Sequence, residues 1–165
     1  MTQKSHSKVI IFDIEADDLW YGITKVHCIW TVEAGTDDYR GFRPHQIEEC
    51  LRYLETADVL VGHNVIDYDI PALQKVYPDF KPQAAFDTMT LGSMVASNRR
   101  AQTLDSWGKD LGVLKGTFGK TADWKNFSEE MFTYCKDDVV LTKTLYLHLC
   151  ELAEFDPLNP PSMRL

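Results

Sequence analysis

Apolar residues crowd the segment 9–14, where Val9, Ile10, Ile11, Phe12 and Ile14 are broken only by Asp13, and Glu15 follows at once. A run of β-branched and aromatic side chains predicts a strand buried on both faces. Strand side chains alternate with period two, so Asp13 and Glu15 point the same way. Residues 25–33 alternate instead, with Val26, Cys28, Trp30 and Val32 on one face and Lys25, His27, Thr31 and Glu33 mostly on the other. That pattern predicts a strand covered on one side. Gly35-Thr36-Asp37-Asp38 supplies a turn, and residues 39–43 return antiparallel, so the first three strands form a meander.

Helical spacing begins at Pro44, with Ile47, Leu51 and Leu54 on one stripe, and a short apolar strand, Val59-Leu60-Val61, follows it. A helix between strands implies a parallel crossover. Residues 63–69 read as the loop leaving that strand, and 70–76 as a helix with Asp69 near its N-cap and Pro71 in its first turn. A further strand is expected at 84–88 and a helix at 89–97, while Thr103 caps a helix over 104–111 that Gly112 stops. Residues 113–127 read as an irregular loop holding Lys115, Lys120 and Lys125 among Phe118, Trp124 and Phe127. Ser128 starts a long helix to about residue 153, with Met131, Tyr134, Asp138, Leu141, Leu145 and Leu149 at intervals of three and four. Pro157, Pro160 and Pro161 then end regular structure. The order predicts an α/β fold: a mixed five-stranded sheet, three strands in an antiparallel meander plus two parallel ones, flanked by helices. No repeat or linker divides it, so a single domain is expected over 1–165, with a polar tail at 1–7 and a proline-rich tail at 156–165.

Composition narrows the chemistry. A chain of 165 residues, 44% hydrophobic, with a mean hydropathy of -0.27, suits one soluble domain. No apolar run reaches membrane-spanning length and residues 1–8 are polar, so a cytoplasmic protein without a membrane partner is expected. Cys28, Cys50, Cys135 and Cys150 form no CxxC pair and read as reduced core thiols. The net charge of -8 argues against a protein that coats nucleic acid by bulk electrostatics, though not against an enzyme that acts on it.

The acids supply the candidate chemistry. Two like charges side by side at the end of a buried strand are costly unless a cation neutralises them, and hard divalent cations prefer such oxygen ligands. The bland alternative is a strand end whose acids merely enter solvent. Asp69 lies beyond a strand parallel to the first, which brings it to the same carboxyl edge, although an N-cap role would also explain it. Asp138 sits in the apolar stripe of the last helix, four residues after Tyr134, and an aspartate there is uncomfortable without a partner. Tyr134 by itself reads as core, as aromatic residues on an apolar stripe usually do.

Three segments taken in order carry a resemblance: Phe12-Asp13-Ile14-Glu15, then Asn64-Val65-Ile66-Asp67-Tyr68-Asp69, then Tyr134-Cys135-Lys136-Asp137-Asp138. They resemble the three motifs of the DEDDy branch of the DEDD 3′-5′ exonuclease superfamily, whose fold is ribonuclease H-like. Asp87-Thr88-Met89, Leu104-Asp105-Ser106-Trp107-Gly108, Leu111-Gly112, Lys115-Gly116 and Phe127-Ser128-Glu129-Glu130-Met131 further resemble the proofreading exonuclease domain of bacteriophage family A DNA polymerases. The sister branch places histidine five residues before the last aspartate, where this chain has Thr133. The chain also lacks a long insertion between Ser97 and Thr103, and its end at Leu165 without a polymerase leads to the expectation of a free-standing protein.

The resemblance implies that Asp13, Glu15, Asp69 and Asp138 hold two divalent ions, Mg²⁺ or Mn²⁺, and that Tyr134 orients the attacking water. It implies a 3′-5′ exonuclease that takes the 3′ end of single-stranded DNA and releases nucleoside 5′-monophosphates, phage-encoded, with a replication partner in the host cytoplasm. Candidate substrate contacts are Asp17, Leu19, Trp20, Asn64 and Lys115; Leu19 and Trp20 follow the acid pair where apolar groups meet the terminal base. Two alternatives stay open: RNA as the substrate, since nothing identifies a reader of the 2′-hydroxyl, and a non-catalytic nucleic-acid-binding or polymerase-accessory module.

Overall fold

The computed structural model describes residues 6–113, 118–120 and 122–165. Its centre is a six-stranded mixed sheet in the order β3-β2-β1-β4-β5-β6. The strands are β1 (Val9–Ala16), β2 (Val26–Glu33), β3 (Tyr39–Phe42), β4 (Val59–Gly62), β5 (Ala84–Asp87) and β6 (Met163–Arg164). β1, β2 and β3 form the antiparallel meander, while β4 joins β1 and β5 joins β4 in parallel. The α/β reading therefore holds, with one strand added. The prolines do not end regular structure: Met163 and Arg164 pair antiparallel with Ala85 and Ala84. Proline removes a ladder donor only at its own position, and residues beyond it remain able to pair with an open sheet edge. Tyr146 Oη donates to Pro157 O at 2.7 Å and turns the tail back.

Among the described residues five α-helices cover the sheet: α1 (Ile47–Leu54), α2 (Ile70–Val76), α3 (Thr88–Val95), α4 (Leu104–Leu111) and α5 (Glu129–Ala153). α4 is bounded as its sequence predicts, with Thr103 accepting from Ser106 N and Gly112 left-handed at φ 72. The alternation of β1 decides what each face meets. Ile10, Phe12 and Ile14 pack in the layer that contains Ile47, Leu51 and Leu54 of α1 and Leu73 of α2. Val9 and Ile11 enter the opposite layer with Val139, Leu145, Tyr146 and Leu149 of α5. Asp13 and Glu15 share the parity of Val9 and Ile11, so they emerge on the α5 side. Among the described residues no helix is long and apolar enough to cross a membrane.

One segment differs from its expectation. Residues 63–69 are not an open loop, because Val65–Asp69 forms a wide π-type helical turn that runs into α2. Asn64 enters that turn in the left-handed region at φ 66, a conformation asparagine tolerates better than most residues.

Candidate active site

β1 ends on an irregularity in its pairing with β2, between Glu15 and Ala16, just where the acids leave the sheet. Ligand atoms of Asp13, Glu15 and Cys135 all lie within 4.8 Å of one another. Cys135 comes from α5 and is fully buried. Its Sγ lies 3.4 Å from Asp13 O and 3.8 Å from Asp13 Oδ2. One helical turn further, Asp138 is only 5% exposed.

Asp69 reaches the same place from the other side. It is 3% exposed, and Ile14 N, the amide between the two β1 acids, donates to its Oδ2 at 3.3 Å. The side chain is not the N-cap that sequence suggests: Asp69 is itself helical, at φ -58 and ψ -48, and makes no capping bond. Its carboxyl is needed elsewhere. Burial pushes the Asp69 pKa up to about 8 against the Ile14 amide, with the charges of Asp87 and Asp138 adding to the rise. Tyr68 feels the same field, its hydroxyl held protonated by burial and then by Asp69, Glu15 and Asp13. The structure thus brings together the four acids that the motifs single out.

Asp87 is the residue that positions this arrangement, and sequence reading quotes it only as part of Asp87-Thr88-Met89. Its Oδ1 accepts from Asn64 N and Met89 N, both at 2.9 Å, and its Oδ2 from Ile66 N at 3.1 Å. The bond to Met89 caps α3, a local pattern that sequence can display. Those to residues 64 and 66 fix the turn that delivers Asp69, and they leave no local signal. Exchange of Asp87 for asparagine sets an amide donor against the Ile66 N–H. Asp87→Asn is therefore expected to cost about 1–3 kcal/mol in a urea titration. A variant as stable as the parent would remove Asp87 from this role.

Tyr134 stands half-buried on α5 beside two rings of the preceding segment, Phe118 at 5.6 Å and Trp124 at 6.5 Å between centroids. His27 Nε2 lies 2.7 Å from Trp124 O and ties that segment to β2. Gly119 leaves room beside the tyrosine, since a side chain there would begin 3.2 Å from the hydroxyl oxygen. Between these rings and the acids lies a cavity of about 320 Å³, lined by Glu15, Asp17, Leu19, Tyr68 and Trp124.

The expected substrate contacts divide. Leu19, 72% exposed, lines the cavity, whereas Trp20, 43% exposed, follows it in the chain without lining it. Asp17 lines the cavity but turns its carboxylate to Thr24 N at 2.9 Å and Lys25 N at 3.2 Å. Asn64 serves the turn described above. Lys115 lies outside the described residues. Sequence reading missed Lys75, whose Nζ donates to Trp20 O at 2.5 Å and Tyr21 O at 3.0 Å and lies 4.5 Å from the Trp20 ring centroid. No periodicity could have revealed a contact across 55 residues. The donors fit a hard divalent cation: Asp13, Glu15, Asp69 and Asp138 offer carboxylate oxygens, which Mg²⁺ and Mn²⁺ favour.

No protein-family model matches the chain. It is 28% identical to the DNA-directed DNA polymerase of Escherichia phage T7 over 181 aligned positions, which take in 83% of the chain and 26% of the polymerase. The corresponding enzyme of Enterobacteria phage T3 is 27% identical over the same shares. The chain thus spans about a quarter of the length of these relatives. Among solved structures, Brucella melitensis NrnC with bound Mg²⁺ superposes with a TM-score of 0.68 at 16% identity, covering 88% of this chain and 73% of NrnC. The Aedes aegypti Nibbler EXO domain superposes with a TM-score of 0.66 at 15% identity, covering 92% and 83%.

Proposed function

We propose that this chain, a DEDD-type 3′-5′ exonuclease domain, removes nucleoside 5′-monophosphates from the 3′ end of single-stranded DNA with divalent metal. The observation that carries the reading is the meeting of four acids from three separate segments beside an open cavity with the exposed Leu19 on its wall. In this reading Asp13, Glu15, Asp69 and Asp138 hold two ions, Mg²⁺ or Mn²⁺. When bound, the ions supply Lewis acidity that acidifies a water and neutralises charge on the entering and leaving oxygens.

The chain's own groups supply position. Tyr134 donates or accepts a hydrogen bond at the attacking water without losing its proton. Leu19 and Trp20 pack against the terminal base, which suits a site that tolerates every sequence because each base has an apolar face. The homology to two phage polymerases supports DNA as the substrate, a replication partner and action in the cytoplasm of an infected host. The likeness to a fold solved with Mg²⁺ supports the choice of metal.

The test is direct. Labelled single-stranded DNA and RNA of one sequence are incubated with the protein and Mg²⁺ or Mn²⁺, with and without EDTA. A ladder shortening from the 3′ end of DNA, arrested by EDTA, is expected. Faster shortening of RNA would reassign the substrate, and binding without hydrolysis would make the chain an accessory module. Tyr134→Phe is expected to lower turnover roughly 10- to 100-fold, since the water loses an orienting hydrogen bond. The Mn²⁺ concentration for half-maximal rate should stay put, and unchanged turnover would remove Tyr134 from the mechanism.

A further inference from the structure

We propose that Cys135 converts the Asp13–Glu15 pair into a second kind of cation site, in which a thiophilic ion such as Zn²⁺ or Cd²⁺ is held by one sulfur and two carboxylates and blocks hard-metal binding. The inference rests on the reading of Asp13 and Glu15 as cation ligands, though not on hydrolysis itself. Three donors within 4.8 Å of one another form a mixed cluster. An ion bonded at about 2.3 Å to sulfur and about 2.1 Å to oxygen spans such a cluster with small side-chain rotations.

The position of the thiol is built in by the fold. Cys135 is one residue beyond Tyr134 and three before Asp138, so the helix that carries both also turns this sulfur onto β1. On the β1 side lies Asp13, through its carbonyl and its carboxylate, with Glu15 beyond. On the β2 side lies Cys28, cross-strand from Glu15 and hydrogen-bonded to the Cys135 thiol.

Ligand chemistry then separates the ions. The Cys135 thiol carries a proton that Mg²⁺, which prefers oxygen, leaves in place. A thiophilic ion displaces it, one proton passing to solvent as the metal–sulfur bond forms. The same cluster therefore accepts hard ions through oxygen alone and soft ions through sulfur as well. No CxxC or Cys-His spacing marks this site in the sequence, because the sulfur and Asp13 are 122 positions apart.

The experiment titrates the metal-free full chain with Cd²⁺ and follows the sulfur-to-cadmium charge-transfer absorption in the ultraviolet. One thiolate's absorbance is expected in the parent chain and in Cys28→Ser. It should vanish in both Cys135→Ser and Cys135→Ala, with Cd²⁺ affinity lowered roughly tenfold or more. Asp13→Asn should weaken Cd²⁺ binding, and excess Mn²⁺ should displace the ion. Circular dichroism verifies that each variant folds, and either Cys135 variant suffices if the other does not. Absorption that survives loss of Cys135, or that ignores Asp13→Asn, overturns the proposal. Mn²⁺-dependent hydrolysis without a cadmium–thiolate band sinks the soft site alone, whereas the band without hydrolysis sinks the exonuclease reading alone.

Discussion

Replacing Asp13 with alanine is expected to lower 3′-end hydrolysis by roughly 10³-fold or more, equivalent to about 4 kcal/mol of lost transition-state stabilisation. Asp13 stands at the centre of the arrangement: its carboxylate belongs to the cluster with Glu15, and its backbone neighbour Ile14 supplies the amide that holds Asp69. Loss of its two oxygens leaves the other acids without a carboxylate that lies 3.8 Å from Cys135 of α5. The fold should persist, because Asp13 is only half-buried and its backbone keeps its place in the ladder. Single-turnover hydrolysis of a labelled oligonucleotide, with circular dichroism as the fold control, measures the effect. Near-parental rates in the variant would remove the metal pair from the mechanism.

A second large effect is expected at Asp69, where activity and stability should move in opposite directions. Asp69→Asn keeps an oxygen to accept from Ile14 N but removes an ionisable group whose charged form burial disfavours, so turnover should fall by roughly 10²-fold or more while the metal-free protein becomes more stable. The sign follows from linkage. The unfolded carboxyl titrates near 3.8 and the folded one near 8. Between those values the native state binds more protons than the unfolded one, so stability is greatest below the lower value and declines as pH rises through the higher. In EDTA the parent's melting temperature should therefore fall across that window, and Asp69→Asn should flatten the profile. Each kcal/mol recovered corresponds to about 2–4 °C in a chain of this size. Saturating Mn²⁺ should raise the parent's melting temperature and leave the variant's nearly unmoved. A variant less stable than the parent in EDTA would show that the acid supports the fold rather than straining it.

Much of this arrangement is legible in the chain wherever the physical cause is local. β1 is announced by its apolar run, α4 by a threonine before it and a glycine after it, and α5 by Ser128 and a long stripe. The parity of Asp13 and Glu15 follows from strand geometry alone. What stays hidden depends on contacts between distant segments. Asp69 looks like a cap in sequence because Asp-Ile-Pro is a common helix start, and only the fold shows its carboxyl turned to Ile14, 55 residues away. Asp87 hides a three-amide anchor behind an ordinary cap. The strand at Met163–Arg164 is two residues long, too short for any period to register. The cysteines read correctly as core thiols, since all four are free and buried, yet their buried company includes an active-site acid.

The parity of β1 has a consequence for changes in chain length. Substitutions at Ile10 or Ile11 alter one packed layer, but deletion of a single residue between Val9 and Phe12 would exchange the layers for everything that follows. Asp13 and Glu15 would then face Leu51 and Leu54 of α1, a dry setting with no ion to receive them. An apolar exchange of similar volume at Ile10 or Ile11 thus leaves the acids where they are, whereas a change in the length of this strand does not.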